Sequence, residues 1–288
     1  MKMKWLRIMA AALCMVMFMS QAVMADGIFG GSGSYVSLGA DLTDKEKETV
    51  LNLLNIDNID DYEVEYITNE QEHEYLDEYL SASVIGHRAL SSVFIQEGGS
   101  GIEVKTYNIG YCTEGMYRNA LATAGMENAS VTVAGPFNIS GTAALVGAMK
   151  AYESMTGEKV SEENLDAANQ ELVVTGEVAE SVGQEEAEQL MALVKEKVIA
   201  EDLKQPEEIM QAVDDAAQQL EISLSEEDKQ MIRDLMKKIG SLDLNIDQLR
   251  EQAKEIYNKL EDMGLKFDQS FFDKLKAWVL SIFDFLQS

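Results

Sequence analysis

The sequence predicts an α+β protein with a small mixed sheet in its first half and a succession of helices in its second half. Three observations lead to this fold class. Apolar and polar residues alternate in short runs between residues 62 and 137, which indicates strands, and helical spacing interrupts these runs twice. From Gly141 onward the strand signals stop, and apolar residues recur at helical spacing.

The first half follows the element order of a ferredoxin-like β-α-β-β-α-β arrangement, or of a similar small mixed sheet with helices. A strand at 62–66 precedes a helix at 75–80. Two strands, 89–96 and 102–104, are then joined by a glycine turn as a hairpin. A second helix and a fourth strand complete the order; they carry Tyr117, Leu121, Val131 and Val133, and the strand ends at Gly135 and Pro136.

Several helix ends are marked by their capping residues. Thr43 followed by Glu46 is a capping box for a short helix ahead of the first predicted strand. Gly157 ends the helix that starts at Gly141, and in the second half Pro206 occupies a first helical turn and Ser225 caps another helix. These signals predict defined helices rather than one long irregular segment.

The last predicted helix, from Phe271 to Leu286, is apolar on nearly every face. A helix of this kind is buried in a core or binds another apolar surface. We expect it to dock into the protein's own core. The alternative is an interfacial helix, and it is the one segment through which we expect any contact with a membrane.

Residues 1–25 have the features of a secretory signal peptide, with a basic start, a short apolar run and a small-residue cleavage site near Ala25. Cys14 lies too early in the apolar run for a lipoprotein signal, so we expect a secreted, extracytoplasmic protein without a lipid anchor. Residues 26–37 are rich in glycine and serine and predict a flexible spacer. We expect an α+β domain at 38–157 and a helical domain at 158–288.

Removal of the signal peptide takes away three basic residues and no acidic one, so the net charge falls from −28 to −31. A strongly acidic surface repels phosphate backbones, which argues against nucleic acid as a partner. Removal also takes away Cys14 and leaves Cys112 as the lone cysteine, so no disulfide forms within the mature chain.

Cys112 is the candidate nucleophile, because it lies between a predicted strand and the start of a predicted helix, where a thiolate is favoured. His73, His87 and Arg118 are its candidate partners. No known cysteine-enzyme signature surrounds Cys112, and a small packed side chain is the alternative interpretation.

Asn55, Asp57, Asp60 and Asp61 crowd one loop and are weak candidates for a calcium site. The series lacks the central glycine and the closing glutamate of an EF-hand, so a solvated loop is the alternative. The sequence predicts no cofactor.

Two stretches, Ser34–Leu54 and Gly101–Tyr152, and in particular the motif at 36–42, resemble the YpuA-like family of secreted Firmicutes proteins, a domain of unknown function. The resemblance implies an extracytoplasmic protein of a Gram-positive cell and supplies no activity, cofactor or catalytic residue. We therefore expect a non-enzymatic protein that binds a protein or polymer of the cell envelope. The alternative is an extracellular hydrolase acting on wall polymer or peptide, with Cys112 as its candidate nucleophile.

Overall fold

The alternating residues of the first half form the two faces of a five-stranded mixed sheet in the computed structural model, which describes residues 33–99, 101–157 and 159–262. The predicted signal peptide, most of the predicted spacer and the predicted helix at 271–286 lie outside these residues. The strands are β1 (Ser34–Gly39), β2 (Glu63–Ile67), β3 (Ser92–Glu97), β4 (Ile102–Ile109) and β5 (Ala129–Ile139). Helices cover both faces, so the predicted α+β class is confirmed.

Five helices belong to the sheet-forming half: α1 (Asp44–Leu53), α2 (Asn69–Leu76), α3 (Ala82–Ile85), α4 (Glu114–Thr123) and α5 (Thr142–Thr156). Five more follow: α6 (Glu162–Val182), α7 (Gln184–Ala200), α8 (Pro206–Gln219), α9 (Glu226–Ile239) and α10 (Ile246–Asp262). Within the described ranges, no helix has both the length and the apolar character needed to cross a membrane.

The strand order across the sheet is β2-β1-β3-β5-β4. β1 and β2 are parallel and joined through α1, while β4 and β5 are parallel and joined through α4. β3 is antiparallel to both of its neighbours, with Val93 opposite Val133 and Ile95 opposite Val131. Two parallel pairs thus flank one central antiparallel strand.

The predicted ferredoxin-like order is wrong in its hairpin, because β5 lies between β3 and β4. The glycine turn does not join paired strands; it passes across the start of β5. Gly98 N donates to the Asn128 carbonyl oxygen at 3.2 Å, and Gly101 N donates to Asn128 Oδ1 at 2.9 Å. Gly98 and Gly101 both have positive φ, which suits glycine and not a residue with a side chain.

The predicted spacer at 26–37 is wrong at its end, since β1 begins at Ser34. Successive residues of β1 face opposite sides of the sheet, as strand geometry requires. Val36 and Leu38 pack with Val50 of α1 in a small cluster on one face. On the other face Ser37 meets Gly147 of α5, so β1 is buried from both sides.

Predicted helix signals of both halves are confirmed. Thr43 and Glu46 form a complete capping box, and Gly157 closes α5 with a left-handed conformation. Ser225 caps α9, and Pro206 occupies the first turn of α8. These ends are determined by local chemistry, which explains why the sequence shows them.

The core of the described residues crosses from the sheet-forming half into the helical half. One cluster of buried residues runs from Ile67 in β2 to Ile256 in α10, and α4 packs against both the sheet and α6. A buried ion pair of the helical half lies at this boundary: Lys195 of α7 lies 2.9 Å from Glu171 of α6, and both side chains are at most 1% exposed. Lys195 also donates to Thr123 Oγ1 of α4 at 3.0 Å.

Candidate functional site

An open cleft of about 340 Å³ lies at the end of the sheet where β5 stops, β3 starts and α5 begins. It is lined by Glu72, residues 83–88, Leu90, Ser91, Phe137, Ile139, Ser140 and Thr142. The glycine at 141 brings these groups together: it adopts a left-handed conformation that turns the chain sharply from β5 into α5. The cleft therefore collects side chains from segments that are far apart in the sequence.

Glu72 of α2 forms the floor of the cleft and is 1% exposed. Thr142 Oγ1 donates to Glu72 Oε1 at 2.7 Å, and Asn69 Nδ2 donates to Oε2 at 3.1 Å. Burial raises the pKa of Glu72 above its ordinary value, while these two hydrogen bonds act in the opposite direction. A buried acid of this kind is rare unless other groups stabilise it.

Ser140 and Thr142 connect this buried acid to the open part of the cleft. Ser140 Oγ lies 3.1 Å from Thr142 Oγ1, which has its single hydroxyl proton directed at Glu72. Because the proton of Thr142 is used in this way, Ser140 is the donor between the two hydroxyls. The chain of hydrogen bonds then runs in one direction, from Ser140 through Thr142 to Glu72.

The rim of the cleft carries Phe137, His87 and Arg88. Phe137 is 49% exposed, so its ring is accessible to a ligand in the cleft. Arg88 donates to both carboxylate oxygens of Glu46, at 2.7 and 3.2 Å, and its hydrogen bond holds the pKa of Glu46 down at about 2. Arg88 also donates to the Asp41 carbonyl oxygen at 2.8 Å, so its charge is already engaged.

The predicted nucleophile Cys112 is fully buried behind this cleft. The sequence correctly places it between a strand and a helix start, here β4 and α4, but the expected lowering of its pKa is wrong. Burial, together with the nearby charge of Glu72, raises the pKa of the Cys112 thiol well above its ordinary value. The thiolate needed for nucleophilic attack is therefore disfavoured.

The three predicted partners of Cys112 do not assemble around it. His73 Nδ1 lies 2.6 Å from Asp77 Oδ1, and His73 Nε2 lies 3.3 Å from the Gly86 carbonyl oxygen. The hydrogen bond to Asp77 raises the pKa of His73. His87 is exposed at the rim of the cleft, and Arg118 lines a different cavity.

That second cavity has a volume of about 290 Å³ and lies between α4, α7 and α10. Arg118 and Glu188 line it, and burial raises the pKa of Glu188. The Nε atom of Arg118 is buried and has no hydrogen-bond partner among the described residues. The cavity is strongly acidic, with Glu114, Glu185, Glu188 and Glu255 around it.

Asn55, Asp57, Asp60 and Asp61 do not converge on a cation. All four are exposed, and the loop turns away through the short 3₁₀ segment Ile59–Asp61. No group of three or more histidine, cysteine, aspartate or glutamate side chains in the described ranges is arranged to hold a metal ion. The predicted alternative, a solvated loop, matches the exposure of these four residues.

Sequence reasoning missed the groups that form the cleft, namely Glu72, Phe137, Ser140 and Thr142. The charge-rich run 70–74 conceals Glu72, because nothing in it separates a buried acid from exposed ones. The glycine at 141 was the available signal: a strand that leads through glycine into a helix is a common way to present a site.

Comparison with other proteins assigns the chain to a family. The model of the family described as "Protein of unknown function (DUF1002)" matches residues 38–256. The chain is also 38% identical to the "Uncharacterized protein YpuA" of Bacillus subtilis (strain 168), over the full length of this chain and 97% of the relative. No solved structure matches it significantly. These matches confirm the resemblance found in the sequence, and the chain belongs to the DUF1002 family of proteins of unknown function.

Proposed function

We propose that this protein is exported and binds a small polar part of a partner protein or polymer in the envelope of a Gram-positive cell, using the cleft at the end of the sheet. The observation that carries the proposal is that a buried acid and an exposed aromatic ring meet in one open cleft. Their combination fits a binding site, because binding sites combine apolar rings with a few placed polar groups.

Binding without catalysis is favoured by the chemistry of the lining residues. Cys112, the predicted nucleophile, is fully buried and its pKa is raised. Among the described residues that line the cleft, Glu72 is the one carboxylate. Hydrolysis of a glycosidic bond generally uses two carboxylates on opposite sides of the bond. The alternative of an extracellular hydrolase therefore has less support than a binding protein.

Export is supported by the N-terminal segment 1–25, and an acidic surface suits a protein that stays soluble after release. To test export, the full chain is expressed in a Gram-positive host, and the cell fractions and the medium are analysed by mass spectrometry. We expect a product that begins near Asp26 outside the membrane. An uncleaved product confined to the cytoplasm would contradict the proposal.

Binding is tested by co-sedimentation of the chain from Asp26 onward with purified, protein-free cell walls. We expect the Phe137→Ala variant to sediment much less than the unchanged protein. Tyr66→Ala is the matched control, because Tyr66 is 50% exposed on β2, which β1 and β3 separate from β5 in the sheet. Equal sedimentation of the two variants, or none with the unchanged protein, would contradict wall binding through the cleft.

A further inference from the structure

We propose that the cleft binds a neutral sugar or an N-acetylated amino sugar of a polysaccharide, with one sugar ring stacked on Phe137 and a sugar hydroxyl or amide N–H donating to Ser140. This inference rests on the proposed function and names the ligand class of the same cleft. Four observations lead to it: the exposed ring, the direction of the hydrogen-bond chain, the paired arginine at the rim and the size of the cleft.

Phe137 provides a flat apolar surface beside polar groups. Phe137 is 49% exposed and lies near the end of β5. The face of an aromatic ring is electron-rich, and it attracts C–H groups that carry a slight positive charge. A sugar ring presents such C–H groups on one face and hydroxyl groups at its edges, so it matches an aromatic ring next to hydrogen-bonding side chains.

The direction of the hydroxyl chain determines what the ligand must offer. Thr142 Oγ1 donates to Glu72 Oε1 at 2.7 Å, and a hydroxyl group has one proton to donate. Ser140 then donates to Thr142 over 3.1 Å. The remaining lone pairs of Ser140 Oγ are available as acceptors at the half-buried end of this chain. A ligand at this position must donate a hydrogen bond, as hydroxyl and amide N–H groups do.

Anionic ligands are disfavoured because Arg88, the arginine at the rim of the cleft, is already paired with a carboxylate. Arg88 is held by the Glu46 carboxylate at 2.7 Å and by the Asp41 carbonyl oxygen. The start of α5 would attract an anion through its free N–H groups, but Ala144 N donates to Ser91 Oγ at 2.9 Å and Glu72 already lies beside Thr142. The net charge of −28 for the whole chain adds a general repulsion of phosphate and carboxylate groups.

The volume of the cleft, about 340 Å³, is at the lower end of the range of small-molecule sites, roughly 300–1,000 Å³. This volume suits a short segment of a chain and not a folded partner. Because the cleft is open, a sugar in the middle of a longer polymer can enter it without a free chain end.

Isothermal titration calorimetry tests the ligand class with four defined probes: a tetramer of N-acetylglucosamine, a tetramer of glucose, inorganic phosphate and tetra-alanine. The chain from Asp26 onward is used throughout. We expect saturable binding of at least one of the two sugars and none of phosphate. Binding of phosphate or of the peptide without either sugar would overturn the proposal.

Three variants locate the bound sugar. We expect Ser140→Ala to weaken sugar binding about tenfold, which is the loss of one hydrogen bond. We expect Phe137→Ala to weaken it tenfold or more, and Phe137→Trp to restore it, since tryptophan also stacks. Tyr66→Ala should leave the affinity unchanged. Full affinity in both Ser140→Ala and Phe137→Ala would also overturn the proposal, provided that circular dichroism shows both variants folded.

This test can fail separately from the proposed function. If walls sediment the protein in a Phe137-dependent manner and neither sugar binds, the cleft binds the wall but the ligand class is wrong. If wall sedimentation is also lost or does not depend on Phe137, both the ligand class and the proposed function are wrong.

Discussion

The Lys195 ammonium group is the most completely buried charge among the described residues, with 0% of its side chain exposed. It donates to both oxygens of Glu171, at 2.9 and 3.0 Å, to Thr123 Oγ1 and to the Asn119 carbonyl oxygen. Burial lowers the pKa of Lys195, and the charge of Glu171 opposes this effect. A buried pair of this kind is stable only while both charges are present.

Removal of one charged partner should therefore lower the free energy of unfolding much more than removal of both partners. We expect Lys195→Met to lower the free energy of unfolding by about 3–5 kcal/mol, because Glu171 is left buried without its counter-ion. Adding Glu171→Leu should recover most of this loss. Urea denaturation monitored by circular dichroism measures both values.

A surface pair provides the control for this prediction. Lys197 lies 2.5 Å from Asp215, and their side chains are 31% and 37% exposed. We expect Lys197→Met to change the free energy of unfolding by no more than about 1 kcal/mol. If Lys195→Met and Lys197→Met lowered the free energy of unfolding equally, burial of the Lys195 charge would have no special role in stability.

Glu46 makes stability depend on pH. The hydrogen bond from Arg88, together with that from the Thr43 backbone, lowers the pKa of Glu46 from 4.5 to about 2. An acid with a lowered pKa in the folded state stabilises the fold above its unfolded pKa, and this contribution is lost as the pH falls. We expect the stability difference between the unchanged protein and Glu46→Gln to be full at pH 6 and to disappear between about pH 4.5 and 2.

The measurement is the free energy of unfolding in urea at several pH values. Glu48→Gln provides a control on the same helix, since it removes one negative charge from α1 without touching the Arg88 pair. A stability difference for Glu46→Gln that stays constant from pH 6 to pH 2 would contradict the assignment of the low pKa to this residue.

The sequence predicts the role of a residue when its hydrogen-bond partners are close in sequence. It does not predict the pKa of a residue that is buried by distant elements. The Thr43–Glu46 capping box involves positions three residues apart, so the sequence alone reveals it. Cys112 and Glu72 derive their raised pKa values from elements that are distant in sequence. For this reason the candidate nucleophile was overestimated and the acid of the cleft was overlooked.

At the scale of elements, β1 and β5 show why strand prediction failed in part. β1 follows a glycine-rich stretch that has the composition of a spacer, although its residues alternate between two buried faces. β5 continues through Pro136 to Ile139, whereas proline usually ends a central strand. Pro136 lies beyond Ala134, the last residue of β5 that pairs with β3, so no hydrogen bond to β3 is lost.

The contact between α5 and β1 depends on the absence of a side chain at Gly147. A Cβ atom at this position would lie 2.4 Å from Ser37 Oγ and 2.8 Å from Ser37 Cβ. Alanine normally stabilises a helix interior relative to glycine by about 1 kcal/mol. Here we expect the opposite: Gly147→Ala should lower the free energy of unfolding by about 1–3 kcal/mol, because α5 must move away from the sheet.

The double variant isolates the steric cause. In a Ser37→Gly background, the added methyl group at 147 has space, so the cost of Gly147→Ala should fall or change sign. Thermal unfolding of the four proteins of this cycle gives the coupling between the two positions. A cost of Gly147→Ala that is the same in both backgrounds would rule out the clash with Ser37.

At the scale of the whole molecule, the boundary at residue 157 separates two kinds of secondary structure but not two cores. The buried cluster that begins in the sheet continues through α4 into α6, α7 and α10. Composition and periodicity reveal where strands stop, but they do not show which surfaces are buried against each other. The predicted division at residue 157 therefore describes where the strands stop. Whether the two parts also fold as separate units is a question for experiment.

We expect a fragment of residues 33–157 to lack a cooperative unfolding transition, because the face of α4 that packs on α6 and α7 would be exposed to water. In the chain from Asp26 onward, the strands and the helices α6–α9 should lose protection at the same urea concentration. Hydrogen exchange followed by mass spectrometry measures this directly. A fragment that melts in a sharp transition of its own would instead establish two independent domains.

The strand order also determines the order in which the sheet can close as the chain emerges from the ribosome. The early pair of β1 and β2 needs β3 as its neighbour, and β3 needs β5, which begins at Ala129. β4 is made before its single partner β5 and must wait for it. Two of the four strand pairings, β1 with β3 and β3 with β5, thus join strands that are not consecutive in the chain. The central strand β3 is complete on both sides only after β5 has been made, so we expect this protein to fold late and slowly.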